Sequence, residues 1–242
     1  MMTTSERPFM LQRHIDRLFQ SCRSIDLKLP WSKEQVAQWV LQTFEANTEI
    51  EGEKVMRLIV SGGPTWTLKP ADIPTIVIMV ESRIKCSPQN YKNGVHVLLS
   101  EFQRYEPEAK TTNYIQAIRE LGAISNDIDE VIYHSQGLVR EGTRSNIFAV
   151  INGSLITPRT KVLEGITRGI ILNDLPLSFH VKAKDFSVTE FQTASEVFIT
   201  ATSKNIMPVT KISGKPVGDG VVGPMTNEIM KEFDIFFSSK RW

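Results

Sequence analysis

The 242-residue sequence predicts an α/β (α+β) chain of two domains, and three observations lead there. Near the N-terminus apolar residues recur at helical spacing, from Val55 onward short runs rich in β-branched residues alternate with helical patterns, and one polar stretch interrupts both. That stretch predicts a linker at 87–94 between a small domain, 1–86, and a larger one, 95–242.

The elements follow in order. Between Phe9 and Ile25 the residues Ile15, Leu18, Phe19, Cys22 and Ile25 fall on one helical face, and Ser32 ahead of Val36, Trp39, Val40 and Phe44 reads as the cap of a second helix. Trp39 lies on that apolar face, so packing accounts for it. Val55 to Ser61 and Ile73 to Val80 read as paired strands around the turn-prone Gly62, Gly63 and Pro64. Beyond the linker, strands are expected at Val95 to Leu99, Glu130 to His134, Asn146 to Val150, Ser154 to Ile156, Val197 to Thr200 and Met207 to Lys211. Asn152 and Gly153 suit a tight hairpin turn. Helices are expected at Thr111 to Leu121 and near Met225 to Phe236.

Composition excludes several function classes. Lys plus Arg number 28 against 27 for Asp plus Glu, so no excess of positive charge points to nucleic acid or to a membrane surface. The apolar runs Thr75 to Val80 and Ile166 to Leu172 are too short or too interrupted to span a bilayer. Met1 to Arg7 holds no apolar core of a signal peptide. Two cysteines without ligand spacing and four dispersed histidines make a metal site unexpected, and the cysteine usage fits a reducing cytoplasm.

Chemistry is concentrated in four segments: Lys-Thr-Thr-Asn-Tyr (110 to 114), Glu-Gly-Thr-Arg-Ser-Asn (141 to 146), Gly-Ile-Thr-Arg (165 to 168) and Phe-Ile-Thr-Ala-Thr-Ser (198 to 203). Together they offer an amine that can condense with an aldehyde, a carboxylate, and two small-residue turns able to hold a phosphate, which is the inventory of a pyridoxal phosphate site. Taken singly, Lys110 reads as a surface lysine, Glu141 as an exposed turn residue and Arg17 as part of a solvated helix face.

In order and wording the segments resemble the class IV, fold-type IV, pyridoxal-phosphate aminotransferases, from about Pro8 to Met230. The resemblance implies pyridoxal 5′-phosphate as cofactor, Lys110 as the catalytic lysine that holds its aldehyde, and Glu141 facing the pyridine nitrogen. It implies Tyr114 on the phenolate oxygen, and phosphate contacts from Ile166, Thr167, Thr202 and Arg17. The substrate carboxylate would meet Thr202 and Ser203, and a distal carboxylate would meet Arg57, although the tyrosine usual two residues earlier is Val55. Tyr114, and the lack of an Arg-x-His pair in the loop Gly62 to Pro70, make the resemblance nearest to branched-chain amino acid aminotransferases. Such an enzyme moves the amino group of leucine, isoleucine or valine to 2-oxoglutarate and works as a homodimer or higher oligomer. Aminodeoxychorismate lyase and D-amino-acid aminotransferase are alternatives on the same scaffold, and a third is a cofactor-binding protein with little turnover.

Two departures from the family pattern set expectations of shape. Members usually begin with two strands and a Gly-Val-Phe-Glu-like segment, which here would have to precede Arg7, so the small domain is expected to lack its first strands. Absence of that segment, which supplies aromatic residues to the substrate pocket in the family, should weaken activity, and the strand edge left behind, with nothing in Met1 to Arg7 to replace the strands, should invite aggregation. The stretch Gly169 to His180 is also shorter than the family's helix and loop.

Overall fold

The computed structural model describes residues 1–4, 6–125 and 127–239. Its contacts divide the chain into two compact units, Met1–Lys85 with Glu108–Thr111, and Cys86–Pro107 with Thr112–Trp242.

The first unit packs two helices on a small sheet. Helix α1 (Leu11–Ser24) buries Ile15 and Cys22, but Ile25 falls just past its end and is exposed. Helix α2 (Lys33–Glu45) starts at a full capping box, with Ser32 Oγ accepting from Gln35 N–H at 3.2 Å and Gln35 Oε1 accepting from Ser32 N–H at 2.8 Å. Its buried stripe Val36, Val40 and Phe44 advances by four residues at each step, and Val40 and Phe44 cluster with Met56. Strands β1 (Lys54–Ser61) and β2 (Thr75–Ser82) pair antiparallel from Lys54↔Ser82 to Ser61↔Thr75. The loop between them closes where Ala71 N–H donates to Gly62 O at 2.6 Å. There Gly63, at φ 81°, passes so near Ile73 O that a Cβ would fall 2.3 Å from it.

The N-terminal residues correct one expectation. Met2 bridges Val55 in antiparallel fashion, Thr3 N–H donates to Lys54 O at 2.9 Å, and Met56 N–H donates to Met1 O at 2.8 Å. Thr3 Oγ1 also accepts from Lys54 N–H at 2.9 Å. The β1 edge expected to stand open is therefore partly paired by the first three residues.

In the second unit, the stretch expected as a linker folds into helix α3 (Pro88–Asn93). Ser87 Oγ accepts from Gln89 N–H at 3.3 Å, and Pro88 sits at the first helical position, where its missing N–H costs nothing. Strand β3 (Val95–Glu101) follows. The next helix, α4 (Ile115–Ala123), begins four residues later than expected, because the segment ahead of it turns tightly instead. Thr111 N–H donates to Ala109 O at 3.1 Å and Tyr114 N–H to Thr112 O at 3.0 Å.

Strands β4 (Glu130–Ser135), β5 (Leu138–Gly142), β6 (Asn146–Ile151) and β7 (Ser154–Thr157) come next, then α5 (Ile166–Asn173), β8 (Val181–Ala183) and α6 (Val188–Gln192). The unit closes with β9 (Glu196–Ala201), β10 (Asn205–Ile212), β11 (Lys215–Pro216) and α7 (Pro224–Ser239). The hairpin of β6 and β7 turns at Asn152 and Gly153, whose φ values of 49° and 72° are both positive as the tight turn requires.

The nine-stranded sheet runs β5-β4-β3-β10-β9-β6-β7-β8, with β11 added at β10. Gly142 N–H donates to Ser145 O at 2.7 Å across the turn that joins β5 directly to β6, so the sheet curls until its first strand meets its sixth. Every residue of β6 is buried, which is why that strand reads as a continuous apolar run. Phe148 on β6 and its register partner Phe198 on β9 stack at 4.8 Å and 10° in the core.

A buried carboxylate starts α7. Glu196, on β9, accepts from Met225 N–H at 3.2 Å and from Thr226 N–H and Oγ1–H at 2.8 Å each. Glu196→Ala should cost about 2 kcal/mol, since a charged cap is lost and its donors stay buried. A melting point lower by roughly 4–8 °C is expected. An unchanged melting curve would show that solvent replaces the cap.

Candidate active site

The topology of the large sheet gathers most of the segments singled out above. Asn146, the first residue of β6, pairs with Thr200 on β9, so the turn after β5 and the turn after β9 lie at the same end of the sheet. The first carries Thr143 to Ser145, directly after Glu141 and Gly142 at the end of β5, and the second carries Thr202 and Ser203. Asn146 then ties in a third piece. Its Nδ2 donates to Leu163 O at 2.7 Å, and its Oδ1 lies where a Cβ on Gly165 would come within 2.0 Å. Only glycine lets the chain pass there, and Gly165 is the residue that opens α5. Ile166 and Thr167, both buried, form the first turn of that helix.

Glu141 is a buried strand residue rather than an exposed turn residue. Its Oε1 accepts from Arg104 Nη1 at 2.9 Å, and its Oε2 accepts from Leu163 N–H at 3.0 Å, leaving the carboxylate side chain 4% exposed. Leu163 thereby links the carboxylate to the segment that leads into α5. Arg168, in the first turn of α5, donates to Pro158 O at 2.9 Å and to Thr157 Oγ1 at 3.3 Å. Burial lowers its pKa, and the charges of Glu164 and Glu141 oppose that shift.

A cavity of about 320 Å³ opens in the same unit, with Arg104, Tyr114, Tyr133 and Thr143 on its walls. Burial, together with the neighbouring Glu120 carboxylate, raises the Tyr133 pKa, so its phenol stays neutral. Tyr114 stands at the head of α4.

In the first unit Lys110 is exposed, with its backbone N–H donating to Ser21 Oγ at 3.0 Å. Burial first, and then charges that include Arg17 and Lys110, hold His14 in its neutral form. Burial also lowers the Met1 amine to about 5, helped by the charges of Arg17, Lys110 and Arg57. All three cations picked out from the sequence in this unit thus act on the Met1 amine, and Arg17 and Lys110 act on His14 as well. Arg57 is 60% exposed and pairs across the hairpin with Glu81 at 2.9 Å.

Pyridoxal phosphate fits what the second unit presents. No side chain caps α5, so the amides of its first turn have no side-chain acceptor, and the helix dipole there favours an anion. Thr143 Oγ1, Ser145 Oγ and Thr200 Oγ1 are buried without a hydrogen-bond partner, on or beside the two turns that meet at this end of the sheet. A negative carboxylate lies near by in Glu141. Arg104, Asn146 and Leu163 were missed as contributors by sequence reasoning. Asn146 stood inside a quoted motif, whereas nothing local marked the other two. Among the described residues no group of three or more His, Cys, Asp or Glu is placed to hold a metal, and no helix is long and apolar enough to cross a membrane.

Comparison with known proteins adds relatives to this geometry. The family described as amino-transferase class IV matches residues 1–212. A D-alanine aminotransferase of Listeria monocytogenes is 31% identical over 238 residues, 93% of this chain and 81% of that protein. A branched-chain-amino-acid aminotransferase of Pseudomonas aeruginosa is 28% identical over 244 residues, 96% of this chain and 79% of that protein. Among solved structures, the branched-chain aminotransferase of Thermoproteus uzoniensis with norvaline matches with a TM-score of 0.82 and 28% identity, covering 96% of this chain and 80% of that one.

Proposed function

We propose, for a chain that belongs to the class IV aminotransferases, that it moves the amino group of leucine, isoleucine or valine to 2-oxoglutarate. Family membership makes it a transaminase that uses pyridoxal 5′-phosphate and takes amino acids and 2-oxo acids as substrates. The choice of amino acid, and the residues below, are the proposal. When bound, the cofactor supplies a conjugated ring that takes up the electron pair left on the substrate Cα.

The chain's own residues do the rest. The Lys110 amine binds the aldehyde and, once released, carries the proton to and from Cα. Glu141 holds a proton at the ring nitrogen, and its negative charge is what makes that proton stay. Tyr114 donates to the phenolate oxygen. The first turn of α5 at Ile166 and Thr167, the Thr202 turn and Arg17 hold the phosphate. Thr202 and Ser203 receive the substrate carboxylate, and Arg57 receives the distal carboxylate of glutamate. The surface pair of Arg57 with Glu81 would have to open for that, at a cost of about 1 kcal/mol or less.

The observation that carries the cofactor roles is the convergence of Glu141, the uncapped α5 and the Thr202 turn at one end of the curled sheet. For the substrate, the support comes from Tyr114 and from a 62–70 loop whose exposed residues include Trp66 and Leu68 but no arginine to trap a carboxylate. D-Alanine transamination is a second reading, favoured by relatives named for it. A homodimer or higher oligomer in the cytoplasm is proposed with the leading reading, on the strength of the resemblance.

Turnover of L-leucine with 2-oxoglutarate, of D-alanine with 2-oxoglutarate, and pyruvate release from aminodeoxychorismate should be measured side by side. Leucine is expected to exceed the others in kcat/KM by about tenfold or more, the discrimination that one or two well-placed apolar contacts provide. Preference for D-alanine, or pyruvate release alone, would replace the substrate assignment while leaving the cofactor in place.

A further inference from the structure

We propose that Arg104 is a positioning residue that keeps Glu141 ionised and aimed, acting on the cofactor only through that carboxylate. The inference rests on Glu141 serving the ring nitrogen. A carboxylate removed from water favours its neutral, protonated form unless an opposite charge or several donors stabilise the anion. Glu141 is removed in this way, with only 4% of its side chain exposed, and Arg104, itself 14% exposed, is the cation that meets it, at 2.9 Å. A neutral Glu141 could not hold a proton on a ring nitrogen by charge.

Geometry adds direction to the charge. Each Glu141 oxygen has its own donor, Arg104 Nη1 on Oε1 and Leu163 N–H on Oε2, so the plane of the carboxylate is set at two points. The same Arg104 nitrogen reaches Pro107 O at 3.4 Å, three residues before Lys110. One guanidinium nitrogen thus holds both the carboxylate and a carbonyl of its own loop. Arg168 is another cation whose field overlaps that of Glu141, and it donates hydrogen bonds to Thr157 Oγ1 and Pro158 O. Arg104 also lines the cavity, so a direct contact with bound molecules is the rival that the test must separate.

The test uses holoprotein loaded with cofactor carrying ¹⁵N at the ring nitrogen, whose resonance distinguishes a protonated from a neutral ring without any turnover. Wild type, E141Q, R104M, R104K and the double variant R104M/E141Q are compared. E141Q should move the resonance toward the neutral position and R104M should move it the same way by more than half as much. R104K keeps the charge without the planar fork and should stay nearer wild type. In the double variant the loss of Arg104 should add nothing to E141Q, because its only route is already cut.

A resonance that moves in E141Q but not in R104M would overturn the inference and leave the role of Glu141 standing. A full R104M effect persisting on top of E141Q would also overturn it, in favour of direct contact. If E141Q itself changes nothing, the assignment of Glu141 falls and the inference falls with it. Should R104M not accumulate as folded protein, cofactor affinity in R104K and R104Q decides. Lysine should hold it within about threefold of wild type and glutamine should weaken it about tenfold or more. Equal affinities in both variants would reject the proposal.

Discussion

Lys110→Ala should abolish transamination while cofactor remains partly bound. The lysine is asked for two things, a covalent hold on the aldehyde and proton transfer at the substrate Cα. A positioned proton-transfer group alone is worth about 10²–10⁴-fold in rate. Anchoring by phosphate does not depend on the amine, since the residues proposed for it lie at α5, at the Thr202 turn and at Arg17. Borohydride reduction of the wild-type protein should place the cofactor label on the peptide containing Lys110. A label on another lysine, or turnover in the alanine variant within tenfold of wild type, would remove Lys110 from the mechanism. The Lys110 backbone N–H that meets Ser21 Oγ is retained in the variant, so loss of activity should not coincide with loss of fold.

The second large effect is expected from Glu141→Gln. The substitution keeps the volume but removes the negative charge, and its single amide oxygen can accept from Arg104 Nη1 or from Leu163 N–H but not from both, so one of the two donors is left facing an NH2 group. The half-reaction should slow by about two orders of magnitude or more, and the loss should fall on the rate rather than on substrate affinity. Single-turnover spectra of the amino-acid half-reaction measure it directly. An unchanged rate at normal cofactor content would show that Glu141 serves only as a partner for Arg104. A modest fall in melting point is expected as well, because Arg104 would be left with a weaker partner in a buried place.

The two residues differ in how visible they were. Lys110 stood in a recognisable run, and the structure adds only that its segment turns tightly and delays α4 to Ile115. Glu141 was visible by its motif but not by its environment. The segment Leu138 to Gly142 carries Arg140 and Glu141 side by side, a pattern that reads as a solvated turn, yet both are buried in β5. They can be buried because partners far along the chain satisfy them. Arg104 and Leu163 meet Glu141, while Ser135, Thr160 and Asp185 meet Arg140. No window of local sequence contains that information. The first helices show the opposite case, since the stripe Val36, Val40 and Phe44 and the box of Ser32 with Gln35 are complete within one turn or two of chain.

The sequence by itself determined the mixed α/β class and the order of the main helices and strands, and it supplied the residues proposed to hold a pyridoxal phosphate. Periodicity, caps and turn residues act over a few residues, so they can be read without the fold. The tertiary structure decided what those groups face. It paired Met1–Thr3 with β1, made a helix of 88–93, and closed the sheet at Gly142 and Ser145. It also used Asn146 to bring Gly165 beside the two turns. Such contacts join residues that local propensity treats as independent, and they hold only when the whole curled sheet has formed, because a buried charge or an uncapped helix is tolerable only once its distant partner is in place.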